Sequence, residues 1–289
     1  MNAQKKILLL GANGQLGQDL LKVAPASFKM IPMTHADLEL KDYSAVQKAV
    51  RELKPDFVIN TAAFLNVDKC EEEWREAFEV NAFAVKNLAE TCRDQNAVLV
   101  SISTDYVFDG KKGLPYTEED LPNPLNNYGL SKLLGEYFVQ MIAPRHFIVR
   151  SSGLYGLSKS SVKGTNIVEL FLKKGREGKV SVVTDQIVNP TYTKDLATGI
   201  FPLLQTEAFG LYHLTNSGLC SWMDFAEEIF RQRKMEVQVQ PISYQDYRRP
   251  AVRPPYSVLE SKRLNSLGLP NLRPWKEALQ AYLKESPNE

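Results

Sequence analysis

The chain has 289 residues, of which 44% are apolar, 35 are basic and 34 acidic. That apolar share fills a sizeable core and argues against disorder, while balanced charge with no like-charge block gives no case for nucleic acid or a membrane surface as partner. The three cysteines, Cys70, Cys92 and Cys220, have neither the even count of a disulfide framework nor metal-ligand spacing, so no metal is expected.

In chain order, Lys6–Leu10 reads as a buried strand; its apolar run is too short for a signal-peptide core. No run approaches the ~20 apolar residues of a membrane span, so a cytoplasmic location is expected. Leu16–Val23 reads as a helix, Lys29–Met33 as a strand, Tyr43–Leu53 as an amphipathic helix and Phe57–Asn60 as a strand. Glu72–Gln95 holds one or two helices, Val98–Ser103 a strand, Leu130–Met141 a helix and His146–Arg150 a strand. Strands apolar on both faces and separated by helices predict an α/β fold, a doubly wound parallel sheet of Rossmann type. Beyond Arg150 the pattern changes. Ser151–Gly164 reads as a loop, Asn166–Lys174 as a helix, Val180–Thr184 as a strand, Lys194–Gln205 as a helix and Gly210–Thr215 as a strand, followed by proline-rich sequence with short helices. Residues 1–155 plus 188–214 are therefore expected to form a dinucleotide-binding domain. Residues 156–187 plus 215–289 are expected to form a smaller C-terminal cap that binds substrate.

Gly11-Ala12-Asn13-Gly14-Gln15-Leu16-Gly17 follows the first strand at once and opens the first helix. Gly11 permits a tight turn, Gly14 a close approach of backbone to a pyrophosphate, and Gly17 close packing of helix on sheet. The free N–H groups of the helix start would face the phosphates. An acidic residue for a ribose 2′-hydroxyl is expected about 20 residues on. The second strand instead ends at Met33-Thr34-His35, with Asp37 and Glu39 late. An NAD-only site is not supported; Thr34 and His35 suit a 2′-phosphate, so NADPH or NADH is expected as cofactor.

Tyr128-Gly129-Leu130-Ser131-Lys132 puts a phenol and an ammonium on one helix face. A cation beside the phenol is expected to lower its pKa and make it a proton donor near neutral pH, while Lys132 also holds the nicotinamide ribose. The preceding strand ends in Ser103-Thr104-Asp105-Tyr106, at the carboxyl edge where open α/β sheets bind ligands. The Thr104 hydroxyl is expected to hydrogen-bond a substrate carbonyl. Thr104, Tyr128 and Lys132 in this order form a ketone-reducing set.

These residues resemble the dTDP-4-dehydrorhamnose reductase family, extended short-chain dehydrogenases/reductases. The matching stretches are GANGQLG at Gly11–Gly17, NTAAF at Asn60–Phe64, VDKCEEE at Val67–Glu73, STDYVFDG at Ser103–Gly110 and PLNNYGLSKLLGE at Pro124–Glu136. DQIVNPTY at Asp185–Tyr192, GLYHLTNSG at Gly210–Gly218 and RPPYSVL at Arg253–Leu259 follow, so the resemblance covers nearly the whole chain. It implies reduction of dTDP-4-dehydro-L-rhamnose to dTDP-L-rhamnose, a polysaccharide precursor, by NADPH or NADH. It implies cofactor contacts from Gly11, Asn13, Gly14, Gln15, Leu16, Gly17, Ala62, Ala63, Phe64, Tyr128 and Lys132, with Glu39 and Leu40 near the adenine. Substrate contacts would come from Val67, Thr104, Asp105 and Tyr106, with Asn166 and Gln186 as lesser candidates and Arg253 on the pyrophosphate, where a guanidinium fork suits phosphate oxygens.

The chain departs from the family pattern in two places that face the sugar. Arg150-Ser151-Ser152-Gly153 lacks the usual tryptophan at its last position, and Leu65 stands where a threonine is usual. Gln15 and Pro190 replace the carboxylates by which some members form a magnesium-linked dimer, so a homodimer stays open but not one joined by magnesium. Two other readings remain: a non-catalytic nucleotide-binding regulatory subunit, which the intact Thr104–Tyr128–Lys132 set disfavours, and an NAD-dependent sugar-nucleotide epimerase or dehydratase, which Asp105 keeps open.

Overall fold

The computed structural model describes residues 4–158, 164–246 and 249–286. The first half runs β1 (Lys5–Leu10), α1 (Gln15–Val23), β2 (Phe28–Met33), α2 (Tyr43–Leu53), β3 (Phe57–Asn60), α3 (Lys69–Glu72), α4 (Trp74–Phe78), a π-helical segment (Glu79–Phe83), α5 (Ala84–Asp94), β4 (Val98–Thr104), α6 (Asn127–Ile142) and β5 (His146–Ser151). The second half runs β6 (Leu154–Tyr155), α7 (Ile167–Gly175), β7 (Lys179–Val183), β8 (Ile187–Val188), β9 (Thr191–Tyr192), α8 (Thr193–Leu203), β10 (Gly210–His213), β11 (Asn216–Ser217), β12 (Cys220–Ser221), α9 (Trp222–Arg233), β13 (Gln238–Ile242), α10 (Lys262–Ser266), β14 (Leu272–Pro274) and α11 (Trp275–Glu285).

Six strands form one sheet in the order β2-β1-β3-β4-β5-β10, every neighbouring pair parallel. The chain steps outward from β1 to β2 and then back across to β3. The carboxyl ends of β1 and β3 therefore flank the reversal point, where doubly wound sheets open a crevice. Side chains alternate across β1: Ile7 and Leu9 join Leu16, Leu20 and Ile200 on the face covered by α1 and α8. Leu8 and Leu10 join Val46, Leu88 and Val139 on the face covered by α2, α5 and α6. Pro32 sits in β2 without cost to the ladder because β2 is an edge strand.

A second core lies outside the sheet. Tyr155, Val168, Phe171, Val182, Phe225, Trp275 and Tyr282 pack there, joined by Tyr192 from the segment expected in the dinucleotide domain. Tyr155 and Tyr192 stack with ring centroids 5.7 Å apart. Around it, β7 pairs with β13 and β8 with β12. Among the described residues no helix is long and apolar enough to cross a membrane.

Several boundaries differ from the sequence reading for local reasons. α6 starts at Asn127 rather than Leu130, because Asn126 Oδ1 accepts from the Gly129 amide at 2.8 Å and caps it; Tyr128 thus lies in the first helical turn. The one or two helices expected over Glu72–Gln95 are α4 and α5, joined by the π-helical turn at Glu79–Phe83. Of the C-terminal helices only α10, with five residues, is short: α9 has 12 residues, opened by a Ser221–Asp224 capping box, and α11 has 11. The expected loop at Ser151–Gly164 contains β6, which pairs with β9; its residues 159–163 lie outside the described residues.

Candidate active site

The glycine turn is built as its spacing requires. Gly11 has φ 78°, and a Cβ there would stand 2.7 Å from Thr61 Oγ1 and 2.8 Å from the Ala62 nitrogen. A Cβ on Gly17 would overlap the Gly11 carbonyl. Gly14 is different: the nearest atom to its Cβ would be Gly11 O at 3.3 Å, so only an outside ligand needs that space. Gly14 is the N-cap of α1, with no side-chain hydrogen bond to the first turn and no acidic residue in it. The Gln15 Oε1 is buried with no partner among the described residues. Uncapped amides and open space at Gly14 fit the phosphates of a dinucleotide, while the Gln15 oxygen can only take a donor such as a hydroxyl or an N–H. Asn13 is exposed there, and Leu16 is buried in the sheet core instead.

The end of β2 lies under this turn, its Met33 carbonyl accepting from Gly11 N at 3.0 Å and Ala12 N at 3.1 Å. Here the sequence reading needs correction. Asp37 is late in sequence but not in space: its Oδ2 accepts from Thr34 N at 2.9 Å and Thr34 Oγ1 at 2.7 Å. The turn folds the carboxylate back to the strand end and occupies the Thr34 hydroxyl that was expected to meet a 2′-phosphate. His35 is exposed and pairs with Glu39 at 3.3 Å. Leu40 is buried in the α2-side core.

Thr104 closes β4, and its Oγ1 donates to Asp105 Oδ1 at 3.1 Å while accepting from the Tyr106 amide at 3.2 Å. The same hydroxyl lies close enough to the Tyr128 phenol to favour its ionised form. Tyr106 meets Tyr128 edge-on, with ring centroids 5.9 Å apart. Lys132, one turn on, is buried and donates from Nζ to the Ile102 carbonyl on β4 at 2.7 Å. Burial lowers its pKa to about 8 against the pull of Glu136. The expectation that Lys132 lowers the Tyr128 pKa is not met. Burial raises the phenol well above its ordinary value, more than the Thr104 hydroxyl lowers it, so Tyr128 is protonated at neutral pH.

Asp105 is enclosed rather than open. Its Oδ2 accepts from Ser152 Oγ at 2.9 Å and Ser257 Oγ at 2.5 Å, and burial raises its carboxyl to about 6 despite these hydroxyls. A dehydratase would want this carboxylate free toward substrate, whereas three hydroxyls occupy it. Arg253 is also tied, through NH1 to Asp68 Oδ1 at 3.1 Å and NH2 to Asp68 Oδ2 at 3.0 Å. Its guanidinium still touches the Tyr106 and Tyr244 phenols, so it borders the site with its charge offset by a carboxylate. Asn166 is not brought there as a free group. Its Oδ1 caps α7 and its Nδ2 donates to Gly156 O and Tyr282 Oη, at 2.7 and 2.8 Å. Gln186 Nε2 is buried without a partner among the described residues.

The loop Ala62–Phe64 is half-buried and held by Asn81 from the π-helical turn. Asn81 Oδ1 accepts from Phe64 N at 2.8 Å, and its Nδ2 reaches Phe64 O and Ser131 Oγ, both at 3.1 Å. Glu71 grips the start of α6 through Asn127 N and Nδ2, each at 2.8 Å. Val67 is half-buried between these anchors and Leu65 is exposed. Gly153 has φ 56°, and a Cβ there would meet Pro190 Cα at 3.2 Å and Trp222 Cη2 at 3.3 Å. Beneath the site, Glu136 holds Arg150 through NH2 at 2.6 Å and Nε at 2.9 Å, and accepts from Ser103 Oγ at 2.5 Å. His213, beside Arg150, is kept neutral, its pKa pushed down to about 3 by burial and that cation. Asn81, Asp68, Ser152 and Ser257 were not singled out from the sequence, although Asp68 and Ser257 lie within the stretches VDKCEEE and RPPYSVL.

The RmlD substrate binding domain family has a sequence model that matches residues 5–287. The spore coat polysaccharide biosynthesis protein SpsK of Bacillus subtilis (strain 168) is 38% identical over 282 residues, covering 97% of each chain. A dTDP-4-dehydrorhamnose reductase of Streptomyces griseus is 38% identical over 281 residues, covering 94% of this chain and 91% of that one. The crystal structure of a dTDP-4-dehydrorhamnose reductase from Bacillus anthracis str. Ames, in complex with NADP, has a TM-score of 0.94 at 38% identity and covers 98% of this chain and 100% of its own. With glycine turn, strand-end threonine and helical Tyr128–Lys132 pair in this arrangement, the chain belongs to the dTDP-4-dehydrorhamnose reductase family, extended short-chain dehydrogenases/reductases.

Proposed function

We propose that the protein reduces the C4 ketone of dTDP-4-dehydro-L-rhamnose to dTDP-L-rhamnose with NADPH or NADH. The observation that carries this reading is the half-buried Tyr128 phenol, one helical turn from Lys132 and beside Thr104 at the carboxyl edge of the sheet. Streptomyces griseus and Bacillus anthracis relatives named dTDP-4-dehydrorhamnose reductase support the substrate, and the NADP held by the latter supports the cofactor. Gly14 and the first turn of α1 would hold the cofactor phosphates, and Lys132 its nicotinamide ribose. When bound, the reduced nicotinamide supplies a hydride to the ketone carbon. Tyr128 gives its proton to the ketone oxygen as that oxygen gains charge, and Thr104 holds the phenol in place. Tyr106 and Arg253 would line the sugar-nucleotide side, with residues 156–187 and 215–289 as the substrate cap. Three free, buried thiols suit a reducing cytoplasm.

The test is Tyr128→Phe, assayed by NADPH and NADH oxidation with dTDP-4-dehydro-L-rhamnose. Turnover should fall by at least about 100-fold, the lower end of what a positioned proton donor contributes, while cofactor affinity stays unchanged. Wild-type turnover in this variant refutes the role of Tyr128; no turnover by the wild type with any 4-keto sugar nucleotide refutes the function.

A further inference from the structure

Asp105 is a buried carboxylate at the end of β4 whose two oxygens are taken by hydroxyls from three separate parts of the chain. Thr104 is its own neighbour, Ser152 follows β5, and Ser257 comes from the segment at residues 251–257 that crosses the site from the far end of the chain. That segment is fastened on both sides. Asn126 Nδ2 donates to Val252 O at 2.7 Å, and Ser257 N donates to Ile187 O at 2.9 Å. Gly110 leaves no room beneath it, since a Cβ there would stand 2.7 Å from Pro255 Cδ.

The Thr104 hydroxyl has one proton and lone pairs to accept with. A carboxylate can only accept, so the proton of Thr104 points to Asp105 Oδ1. The Thr104 oxygen is then left as an acceptor for the Tyr106 amide, with the Tyr128 phenol beside it. We infer that Asp105 is a positioning residue: ionised, it fixes the Thr104 side chain beside the Tyr128 phenol, and through Ser257 it ties this alignment to the crossing segment. This rests on the ketone-reductase reading and deepens it, and it revises the expected role of Thr104 as a donor to the substrate carbonyl.

The titratable groups that sense Asp105 are Tyr106, which follows it, and Tyr128 on α6; the groups facing it from β5 and from the crossing segment are neutral serines. Since burial raises its carboxyl to about 6, Asp105 is ionised at neutral pH and protonates as pH falls through that value. A protonated Asp105 is a weaker acceptor and carries a proton of its own among three hydroxyls, which loosens its hold on Thr104.

The experiment is kcat and KM against pH from 5 to 8, for the wild type, Asp105→Asn and Ser257→Ala, with NADPH affinity followed by fluorescence. Wild-type kcat should fall as pH drops through about 6, with NADPH affinity level. Asp105→Asn, which cannot ionise, should lower kcat at least about tenfold at neutral pH and abolish that acidic limb. Ser257→Ala removes one hydroxyl from the carboxylate and should move the limb to higher pH. A role confined to folding would lower yield or stability and leave the limb in place. The inference is overturned by a wild type without the limb, by Asp105→Asn with wild-type kcat or an unmoved limb, or by Ser257→Ala with an unmoved limb. A wild type that turns over beside an indifferent Asp105→Asn sinks the inference alone; a wild type without turnover sinks the reductase reading and the inference with it.

Discussion

The glycine turn permits a separation of folding from ligand binding within a single motif. Gly14 and Gly17 are three residues apart, yet the structure gives them different work. A methyl on Gly17 would overlap the Gly11 carbonyl and come within 2.9 Å of Ala12 Cα, both backbone atoms that cannot swing aside. Overpacking of this kind costs about 1–3 kcal/mol, which at about 2–4 °C per kcal/mol for a large domain lowers Tm by several degrees. A methyl on Gly14 would meet only Gly11 O, at 3.3 Å. Its stability cost should therefore stay within about 1 kcal/mol, mostly the poorer N-capping of alanine. The same methyl would occupy the space a pyrophosphate needs next to the free amides of α1. Gly14→Ala is thus expected to keep its Tm within about 4 °C and lose NADPH affinity about tenfold or more, which takes only 1.4 kcal/mol or so. Thermal unfolding without cofactor and fluorescence titration with it would check both. If Gly14→Ala unfolds as early as Gly17→Ala, or binds NADPH as the wild type does, this assignment of the turn is wrong.

Other consequences can be measured on the same protein. Glu136 and Arg150 are each 2% exposed and paired at 2.6 Å, so Glu136→Gln strands a buried guanidinium. Chemical denaturation should show a loss of about 3–5 kcal/mol, and a loss below about 1 kcal/mol would mean that water reaches Arg150. Lys132 has a pKa near 8 because burial disfavours its charged form. It is therefore a cation at pH 7 and neutral above pH 8 or so. If that charge holds the nicotinamide ribose, NADPH affinity should weaken by up to about tenfold per pH unit above 8, and Lys132→Met should flatten the dependence. A wild-type affinity unchanged up to pH 9.5 or so would remove the cation from cofactor binding.

The parts of the site legible in the sequence are those made of neighbours along the chain. The turn Gly11–Gly17 and the pair Tyr128–Lys132 each span less than two helical turns, so spacing alone carries their geometry. The sheet was legible too, because runs such as Ile7–Leu10 and Val98–Val100 are buried on both faces. What escaped was contact across the chain. Asp68 meets Arg253 across 185 residues and Asp105 meets Ser257 across 152, and no local pattern announces either. Asp37 was misjudged for a related reason. Counting residues treats the chain beyond β2 as extended, whereas the turn at Thr34–Asp37 brings the carboxylate back to the strand end. Tyr128 was misjudged electrostatically: the lysine neighbour was visible in the sequence, but burial, the larger effect on the phenol, was not.

The departure at Gly153 takes on a different meaning in three dimensions. In sequence it is the loss of a tryptophan, and with it an apolar face beside the sugar. In the fold, Gly153 holds a left-handed φ of 56°, and any Cβ would press on Pro190 and on the Trp222 indole. Trp222 begins α9 and packs edge-on against Phe225, with ring centroids 6.0 Å apart, so it is braced by the second core and has little freedom to retreat. A bulky side chain at 153 and this placement of Trp222 exclude each other. An aromatic surface is still present next to Ser152, whose hydroxyl reaches Asp105, but it is supplied by a helix of the second core rather than by the end of β5. Glycine here is thus a condition for close packing of that helix on the strand end.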